Sequence, residues 1–232
     1  KKRNELKKFL EKKKIETKIF NMPLVNETPI YSKYNYNEDI KVAESAHIKE
    51  GVILDSSNGP IIINSNVTID IGALLQGPLF IGSNSYIAPG AKLRPGTLIG
   101  KNCKIGGEVS NSIFHANSNK VHEGFLGNSY IGEWVNLGAN TNNSDLKNNY
   151  SNVKFQIGDN LIDTKQMFLG CMIGDYTKTG ISTMINTGTY IGLGCNLFGG
   201  NFQPKKIQSF SWGIEERMNL DKFLQTLKIV KE

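Results

Sequence analysis

A six-residue repeat of large aliphatic side chains is the feature of this sequence that most restricts its fold. Eight such residues recur without a break, at Ile63, Ile69, Leu75, Ile81, Ile87, Leu93, Ile99 and Ile105. An α-helix needs an apolar period near 3.6 residues, and a half-buried strand needs a period of 2. One long strand is also excluded, because turn formers such as Pro95 and Gly96 stand between the aliphatic residues.

The same register places a mostly small residue four positions after each large one. These residues are Val67, Ala73, Leu79, Ser85, Ala91, Thr97, Cys103 and Val109. Two further runs carry the large residues Phe125, Ile131, Leu137 and then Met167, Ile173, Thr179, Ile185, Ile191, Leu197. A hexapeptide period is typical of a parallel β-helix, in which three short strands and their turns close a triangular coil of about 18 residues. We therefore predict an all-β parallel β-helix with the large residues inside.

Two regions interrupt this register. Residues 106–124 carry an irregular coil. Residues 138–166 carry an Asn-rich loop, and then a hairpin that turns at Gly158-Asp159-Asn160. Loops that leave a rigid scaffold often carry function, so we expect the site near these two interruptions.

Charge and composition predict three parts. Residues 1–40 form a basic helical lead-in, residues 41–213 the β-helix with its insertion at 138–166, and residues 214–232 a C-terminal helix. The net charge of +6 comes from residues 1–18, which hold nine of the 27 Lys/Arg and three of the 21 Asp/Glu. The remainder is neutral and has no run of 18 apolar residues, so we expect neither a nucleic acid nor a membrane as partner.

The three cysteines and three histidines do not form a metal or disulfide framework. Cys103, Cys171 and Cys195 are far apart, and all occupy the small position of the repeat, which predicts buried free thiols and a cytoplasmic protein. The three histidines lack the tight spacing of a zinc site, so no metal is predicted.

Two segments resemble a known family. LRPGTLIG (93–100) and EVSNSIFHANSNKVHEGFLGNSYIGEWVNLGANTNN (108–143) resemble the C-terminal β-helix of the bifunctional N-acetylglucosamine-1-phosphate uridyltransferase/glucosamine-1-phosphate acetyltransferase family. That family has an LRPG turn, an EVKKS segment, a His ten residues after that Ser, and then YLGD, VNIGAGT and an NY pair. Here Ser112 and His122 are ten residues apart, and FLGN, VNLGANT and NY follow in order.

The resemblance covers about residues 40–213 and is strongest to a sugar nucleotidyltransferase-like branch, related to UDP-N-acetylglucosamine diphosphorylases. That branch shares TNNSDLKNNY and an ending like QSFSWG (208–213). The resemblance implies a left-handed β-helix, a homotrimer, and transfer of an acetyl group from acetyl-CoA to the amine of an amino-sugar 1-phosphate. It also implies an N-terminal nucleotidyltransferase domain, of which this chain shows no Gly-rich nucleotide loop.

The resemblance also assigns roles to residues. His122 matches the base that takes the proton of the amine, and Arg94 matches the cation that binds the phosphate. The other matched substrate-binding positions are Asn136, Lys154, Asn149, Tyr150 and Phe125. The matched acyl-CoA-binding positions are Ala139, Ile181 and Gly199.

Departures from the family pattern leave three functions open. Ser110 and Asn111 replace two lysines, Phe125 replaces a Tyr, and Ile181 replaces a Ser on the CoA side. The first function is the acetyltransferase. The second is a non-catalytic trimerisation or regulatory β-helix of a sugar-1-phosphate nucleotidyltransferase whose catalytic domain is absent from this chain. The third is transfer of a different acyl group or to a different acceptor.

Overall fold

The computed structural model describes residues 39–157, 160–214, 216–219, 221 and 223–225, without the side chain of Ile157. They form a parallel β-helix whose short strands stack on three faces of a prism. Face 1 consists, in stacking order, of Ile40–Val42, Ile61–Ile63, Leu79–Ile81, Thr97–Ile99, Ile113–Phe114, Tyr130–Ile131, Cys171–Ile173, Thr189–Ile191 and Lys206–Ile207. This architecture confirms the all-β parallel β-helix expected from the repeat.

Face 2 follows face 1 in every coil, and a face 3 strand follows in the first seven coils. Face 2 consists of His47–Ile48, Thr68–Ile69, Tyr86–Ile87, Lys104–Ile105, Asn119–Lys120, the bridging residue Asn136, Lys178–Thr179, Asn196–Leu197 and Ser211–Trp212. Face 3 consists of Ile53–Asp55, Leu74–Gln76, Lys92–Leu93, Glu108–Ser110 and Phe125–Gly127, and then the pair Asn142–Asn143 and Met184–Ile185.

The aliphatic repeat fills the prism. All eight residues of the first run are at most 2% exposed, and burying each such side chain contributes about 1.5–3 kcal/mol. The three cysteines are buried and free, as predicted. Burial raises the pKa of the Cys103 thiol to about 11 and that of Cys171 to about 12, which makes both unreactive.

The second and third runs keep the predicted register except at their first residues. Leu126 and not Phe125 is fully buried, and Met167 is 43% exposed. For Phe125 the cause is a shortened coil: Ile105 pairs with Lys120, fifteen positions on, whereas Ile87 pairs with Ile105, eighteen positions on. Met167 instead lies in the connection from the inserted hairpin to the face 1 strand Cys171–Ile173. Expecting Phe125 and Met167 inside the prism was therefore wrong.

The insertion packs on the outside of face 1. Strands Lys154–Ile157 and Asn160–Asp163 pair antiparallel as a hairpin. Val153, Phe155 and Leu169 form a small core against Met172 and Tyr190, with the Phe155 and Tyr190 rings 6.1 Å apart. The hairpin is thus anchored to face 1.

The C-terminal end differs from the expected helix. Ser211–Trp212 pairs antiparallel with a strand at Glu216–Arg217, and the described helical backbone occurs at 221 and 223–225. A helix starting at 214 is therefore wrong, because the chain first turns back on the last coil. Residues 1–38 of the predicted lead-in (1–40) and residues 226–232 of the predicted helix lie outside the described residues. No helix in the described part of the chain is long and apolar enough to cross a membrane.

Candidate active site

The turns that join face 2 to face 3 stack into one edge of the prism, which we call the His122 corner. Its turns are residues 70–72, 88–90, 106–107, 121–124, 138–140, 180–182 and 198–199. Main-chain hydrogen bonds tie successive turns together: Asn140 N–H donates to the Glu123 carbonyl at 2.9 Å, and Ser182 N–H donates to the Ala139 carbonyl at 2.7 Å. The structure therefore places His122, Ala139, Ile181 and Gly199 on four consecutive turns of one edge.

His122 is exposed on this edge. Among the described residues, no side chain hydrogen-bonds to its imidazole. The main chain of its segment is held tightly, because Gly124 has φ +130° and a Cβ there would lie 2.3 Å from the Thr141 carbonyl oxygen. The base candidate thus has a free imidazole on a closely packed main chain, as a group that takes a proton from an incoming ligand requires.

Ala139 follows His122 by one coil and offers a main-chain donor. Its carbonyl accepts from Ser182, and the neighbouring N–H groups of Asn140 and Thr141 donate within the chain. In the described part of the chain, the Ala139 N–H itself has no acceptor. It is available to a carbonyl oxygen bound beside His122.

Arg94 directly follows the face 3 strand Lys92–Leu93, at the start of the turn to face 1, and is already paired. Its Nε donates to Glu108 Oε1 at 2.5 Å, and the side chain of Arg94 is half exposed. Because only one edge of the guanidinium is engaged, its other N–H groups can still contact an anion.

Ser110 and Asn111, which stand where the family has two lysines, carry no positive charge. Asn111 Nδ2 donates to Asn128 Oδ1 at 2.6 Å, and Asn128 Nδ2 donates to Asp145 Oδ2 at 2.7 Å. This ladder runs along the corner between face 3 and face 1 and ends in a carboxylate. It leaves Arg94 without the neighbouring lysines that the family pattern has.

Asn136 and Phe125 flank the His122 corner on its two sides. Asn136 bridges Asn119 and Lys178 on face 2. Phe125 opens the face 3 strand after the corner, where its N–H donates to Asn142 Oδ1 at 2.7 Å. Both positions adjoin His122 within one chain.

Lys154, Asn149 and Tyr150 lie elsewhere. They belong to the insertion, whose hairpin packs on face 1, and face 1 is opposite the His122 corner in a triangular prism. Tyr150 and Lys154 are exposed, and Asn149 Oδ1 accepts from Ser151 N–H at 3.1 Å. One chain therefore does not bring these three residues to His122.

Lys120 was missed by the sequence analysis. It is 2% exposed, and its Nζ donates to the carbonyl oxygens of Gly106 at 3.0 Å and His122 at 3.1 Å. Burial lowers its pKa from 10.5 to about 8, and the Glu123 carboxylate opposes that shift. The available signal was a lysine at the aliphatic position of the repeat, which the shortened coil disguised.

A second histidine, His115, is paired with Glu133 at the corner between faces 1 and 2. His115 Nδ1 and Glu133 Oε1 are 2.7 Å apart. His115 is therefore a separate, oriented imidazole away from the His122 corner. The described residues contain no group of three His, Cys, Asp or Glu side chains suited to a metal ion.

Comparisons with known proteins find relatives among acetyltransferases. The chain is 34% identical over 170 residues to the uncharacterized acetyltransferase YaiX of Escherichia coli O6:K15:H31, and the match covers 72% of each chain. It is 34% identical over 99 residues to the bifunctional sugar-1-phosphate nucleotidylyltransferase/acetyltransferase of Sulfurisphaera tokodaii, a match covering 42% of this chain and 25% of that relative. The match thus spans about a quarter of the bifunctional protein.

Among solved structures, a hexapeptide transferase family protein from Anaplasma phagocytophilum is similar over 83% of this chain and 87% of its own. The TM-score is 0.32 and the sequence identity 17%. No protein-family model matches the sequence.

Proposed function

The chain belongs to the hexapeptide-repeat acetyltransferase family of YaiX, and from this premise we propose that it transfers an acetyl group from acetyl-CoA to the amine of an amino-sugar 1-phosphate. The observation that carries the proposal is the placement of His122, Ala139, Ile181 and Gly199 on consecutive turns of one edge. The name of the Sulfurisphaera tokodaii relative supports the sugar-phosphate class of the acceptor. The product would serve the synthesis of a sugar nucleotide such as UDP-N-acetylglucosamine.

The proposed chemistry assigns one role to each group at the His122 corner. The neutral amine of the acceptor attacks the thioester carbonyl carbon, the new C–N bond forms, and the C–S bond breaks. The His122 imidazole takes the proton of the amine, and this proton can then pass to the departing CoA thiolate. The Ala139 N–H donates to the carbonyl oxygen as it gains negative charge.

The His122 corner also suits the extended pantetheine arm of acetyl-CoA. Stacked coils are about 4.8 Å apart, so Ala139 to Gly199 spans about 10 Å along the edge. Ile181 lies between them and is 77% exposed, which offers an apolar contact to the arm. We propose that acetyl-CoA lies along this edge with its thioester beside Ala139.

The acceptor side is proposed to need more than one protomer. Asn136 and Phe125 adjoin the His122 corner, whereas Arg94 follows the face 3 strand at its far end, and Lys154, Asn149 and Tyr150 belong to the insertion, whose hairpin packs on face 1. In a homotrimer, the insertion of one protomer can reach the corner of the next, as a closed cyclic assembly repeats the same contact three times. The proposed site therefore lies between subunits.

Thiol release tests the proposal. The purified chain is incubated with acetyl-CoA and a thiol reagent, with either glucosamine 1-phosphate or galactosamine 1-phosphate as acceptor. Release that depends on the acceptor and disappears in His122→Ala is expected. His115→Ala is the matched control, because that imidazole pairs with Glu133 at another corner. Equal release by His122→Ala and the wild type would exclude His122 as the base.

The second candidate function is a non-catalytic trimerisation or regulatory module. The observation that favours it is the engagement of Arg94 by Glu108, together with the Asn111 ladder where the family has a lysine. Such a module would give no heat of binding when millimolar acetyl-CoA is titrated into it in a calorimeter. Saturable acetyl-CoA binding would exclude this candidate.

A further inference from the structure

We propose that Lys120 is a positioning residue that holds the main chain of His122 in place from inside the β-helix. The inference rests on the proposed function, in which His122 is the base. Lys120 does not touch the substrate; it acts through the carbonyl group of His122.

The position of Lys120 is the first reason. It occupies the inward column of face 2, pairing with Ile105, which itself pairs with Ile87, and Ile87 pairs with Ile69. All three neighbours in this column are fully buried aliphatic residues. An ammonium group costs free energy in such a place, because it loses its contact with water.

The contacts of the ammonium are the second reason. Lys120 Nζ donates to the Gly106 carbonyl in the preceding coil and to the His122 carbonyl in its own coil. Hydrogen bonds from a charged donor are stronger than those between neutral groups. They therefore tie the His122 turn to the turn that precedes it at the His122 corner.

The glycine beside these contacts fits the same role. A Cβ on Gly107 would lie 2.9 Å from Lys120 Nζ and 2.8 Å from the Gly124 carbonyl oxygen. Gly107 also has φ +66°, a conformation that glycine adopts without strain. The corner is therefore packed closely around the ammonium.

The rest of the segment is held by other hydrogen bonds to its main chain, one of them from Val121 N–H to Asn119 Oδ1 at 3.0 Å. Glu108 N–H donates to the Gly124 carbonyl at 3.2 Å, and Asn140 N–H donates to the Glu123 carbonyl at 2.9 Å. Lys120 supplies the contact to the carbonyl of His122 itself. A general base must be held within a fraction of an ångström of its productive position, so this contact bears on turnover.

A purely stabilising role does not account for a lysine here. An aliphatic residue of similar length would fill the column without placing a charge in the core, and such replacements are often neutral or stabilising. The lysine is explained by its two hydrogen bonds, which hold the carbonyl groups of Gly106 and His122 in place.

Lys120→Met is the test, with Ile87→Met as the matched control in the same inward column. In Lys120→Met, kcat should fall about tenfold or more, while KM for acetyl-CoA stays within about twofold of the wild-type value. The melting temperature should not fall. Ile87→Met should change neither kinetic constant. Unchanged kcat in Lys120→Met would overturn the proposal.

Amide hydrogen exchange separates this inference from the proposed function. The Glu108 and Asn140 amides, which donate to the His122 segment, should exchange about tenfold faster in Lys120→Met, whereas the Gly82 amide should not change. This result is expected even if the wild-type chain proves inactive, which would reject only the acetyltransferase proposal. Unchanged exchange at Glu108 and Asn140 would overturn the positioning role.

A measurement on the wild-type protein covers the case in which Lys120→Met does not fold. With 15N-labelled lysine, the Lys120 ammonium should give a slowly exchanging NMR signal, because it is buried and donates twice. An ammonium that exchanges as fast as the exposed lysines would contradict the proposal.

Discussion

The ammonium of Lys120 donates to the main-chain carbonyl of His122 across 3.1 Å, from inside the β-helix to its surface. A buried ammonium thereby contacts the main chain of a residue whose imidazole is exposed. The His122 corner can therefore be tested by measurements of stability as well as of activity.

The stability of the protein should depend on the titration of Lys120. Its pKa is lowered to about 8, chiefly by burial, whereas the unfolded chain has the ordinary value of 10.5. Below pH 8 Lys120 is charged in both the folded and the unfolded protein, so the full free-energy cost of burying its ammonium is present. Above pH 10.5 Lys120 is neutral in both states, and this cost is gone. The free energy of unfolding of the wild type, relative to Lys120→Met, should therefore rise by about 3 kcal/mol from pH 8 to 10.5.

Denaturant unfolding at pH 7, 9 and 10.5 measures this difference. Ile87→Met serves as the control, since its difference from the wild type should be flat over the same range. A flat difference for Lys120→Met as well would contradict the burial of a charged ammonium.

Gly124→Ala should lower the free energy of unfolding much more than Gly90→Ala does. The added Cβ at Gly124 would lie 2.3 Å from the Thr141 carbonyl oxygen, whereas at Gly90 it would meet nothing within 4 Å. The backbone adds to this difference, because Gly90 has φ +66°, which alanine can adopt at a modest cost, whereas Gly124 has φ +130°, which lies outside the left-handed helical region. We expect Gly90→Ala to cost about 1 kcal/mol and Gly124→Ala about 3 kcal/mol or more.

Thermal unfolding of the two glycine variants gives the comparison. Similar melting temperatures would show that the 121–124 turn can move away from Thr141, contrary to the tight packing described above.

Arg94→Ala should weaken binding of the acceptor, because the contact between the guanidinium and the phosphate of the acceptor is lost. The guanidinium keeps N–H groups free beside its bond to Glu108, and losing a charge-assisted contact to phosphate is expected to raise KM for the sugar phosphate about tenfold or more. KM for acetyl-CoA should not change. An equal loss with an acceptor that lacks phosphate would show that Arg94 acts on structure instead.

Ile181→Glu should impair the use of acetyl-CoA. Ile181 is exposed on the proposed path of the pantetheine arm, and a carboxylate there removes an apolar contact and repels the phosphates of CoA. KM for acetyl-CoA should rise about tenfold. Ile71→Glu is the control, because Ile71 is also exposed at the same corner, on the far side of His122. Equal effects of the two changes would argue against a path along Ile181.

The sequence predicts those parts of the fold that depend on spacing. The period of six predicts the buried aliphatic run from Ile63 to Ile105, the buried cysteines and the parallel stacking of the strands. The placement of Leu126 does not, because it depends on a coil of fifteen residues, which strand pairing reveals and spacing hides. The strand at Glu216–Arg217 also depends on an edge that exists only once the last coil has formed.

The candidate site is predictable to a similar extent. The resemblance assigns roles to His122, Ala139, Ile181 and Gly199, and the structure places all four on one edge. Motif order cannot show that Lys154 lies by face 1, since that depends on how the insertion packs. The order of the motifs also cannot show that Lys120 points inward, since a lysine is normally expected to be charged and exposed to solvent.

The most direct test of the account is detection of the N-acetylated amino-sugar 1-phosphate by mass spectrometry, after incubation of the acceptor with acetyl-CoA and either wild type, His122→Ala or His115→Ala. Product is expected from the wild type and from His115→Ala, and none from His122→Ala. Product formed equally by all three proteins, or by none of them while all remain folded, would contradict acetyl transfer at the His122 corner.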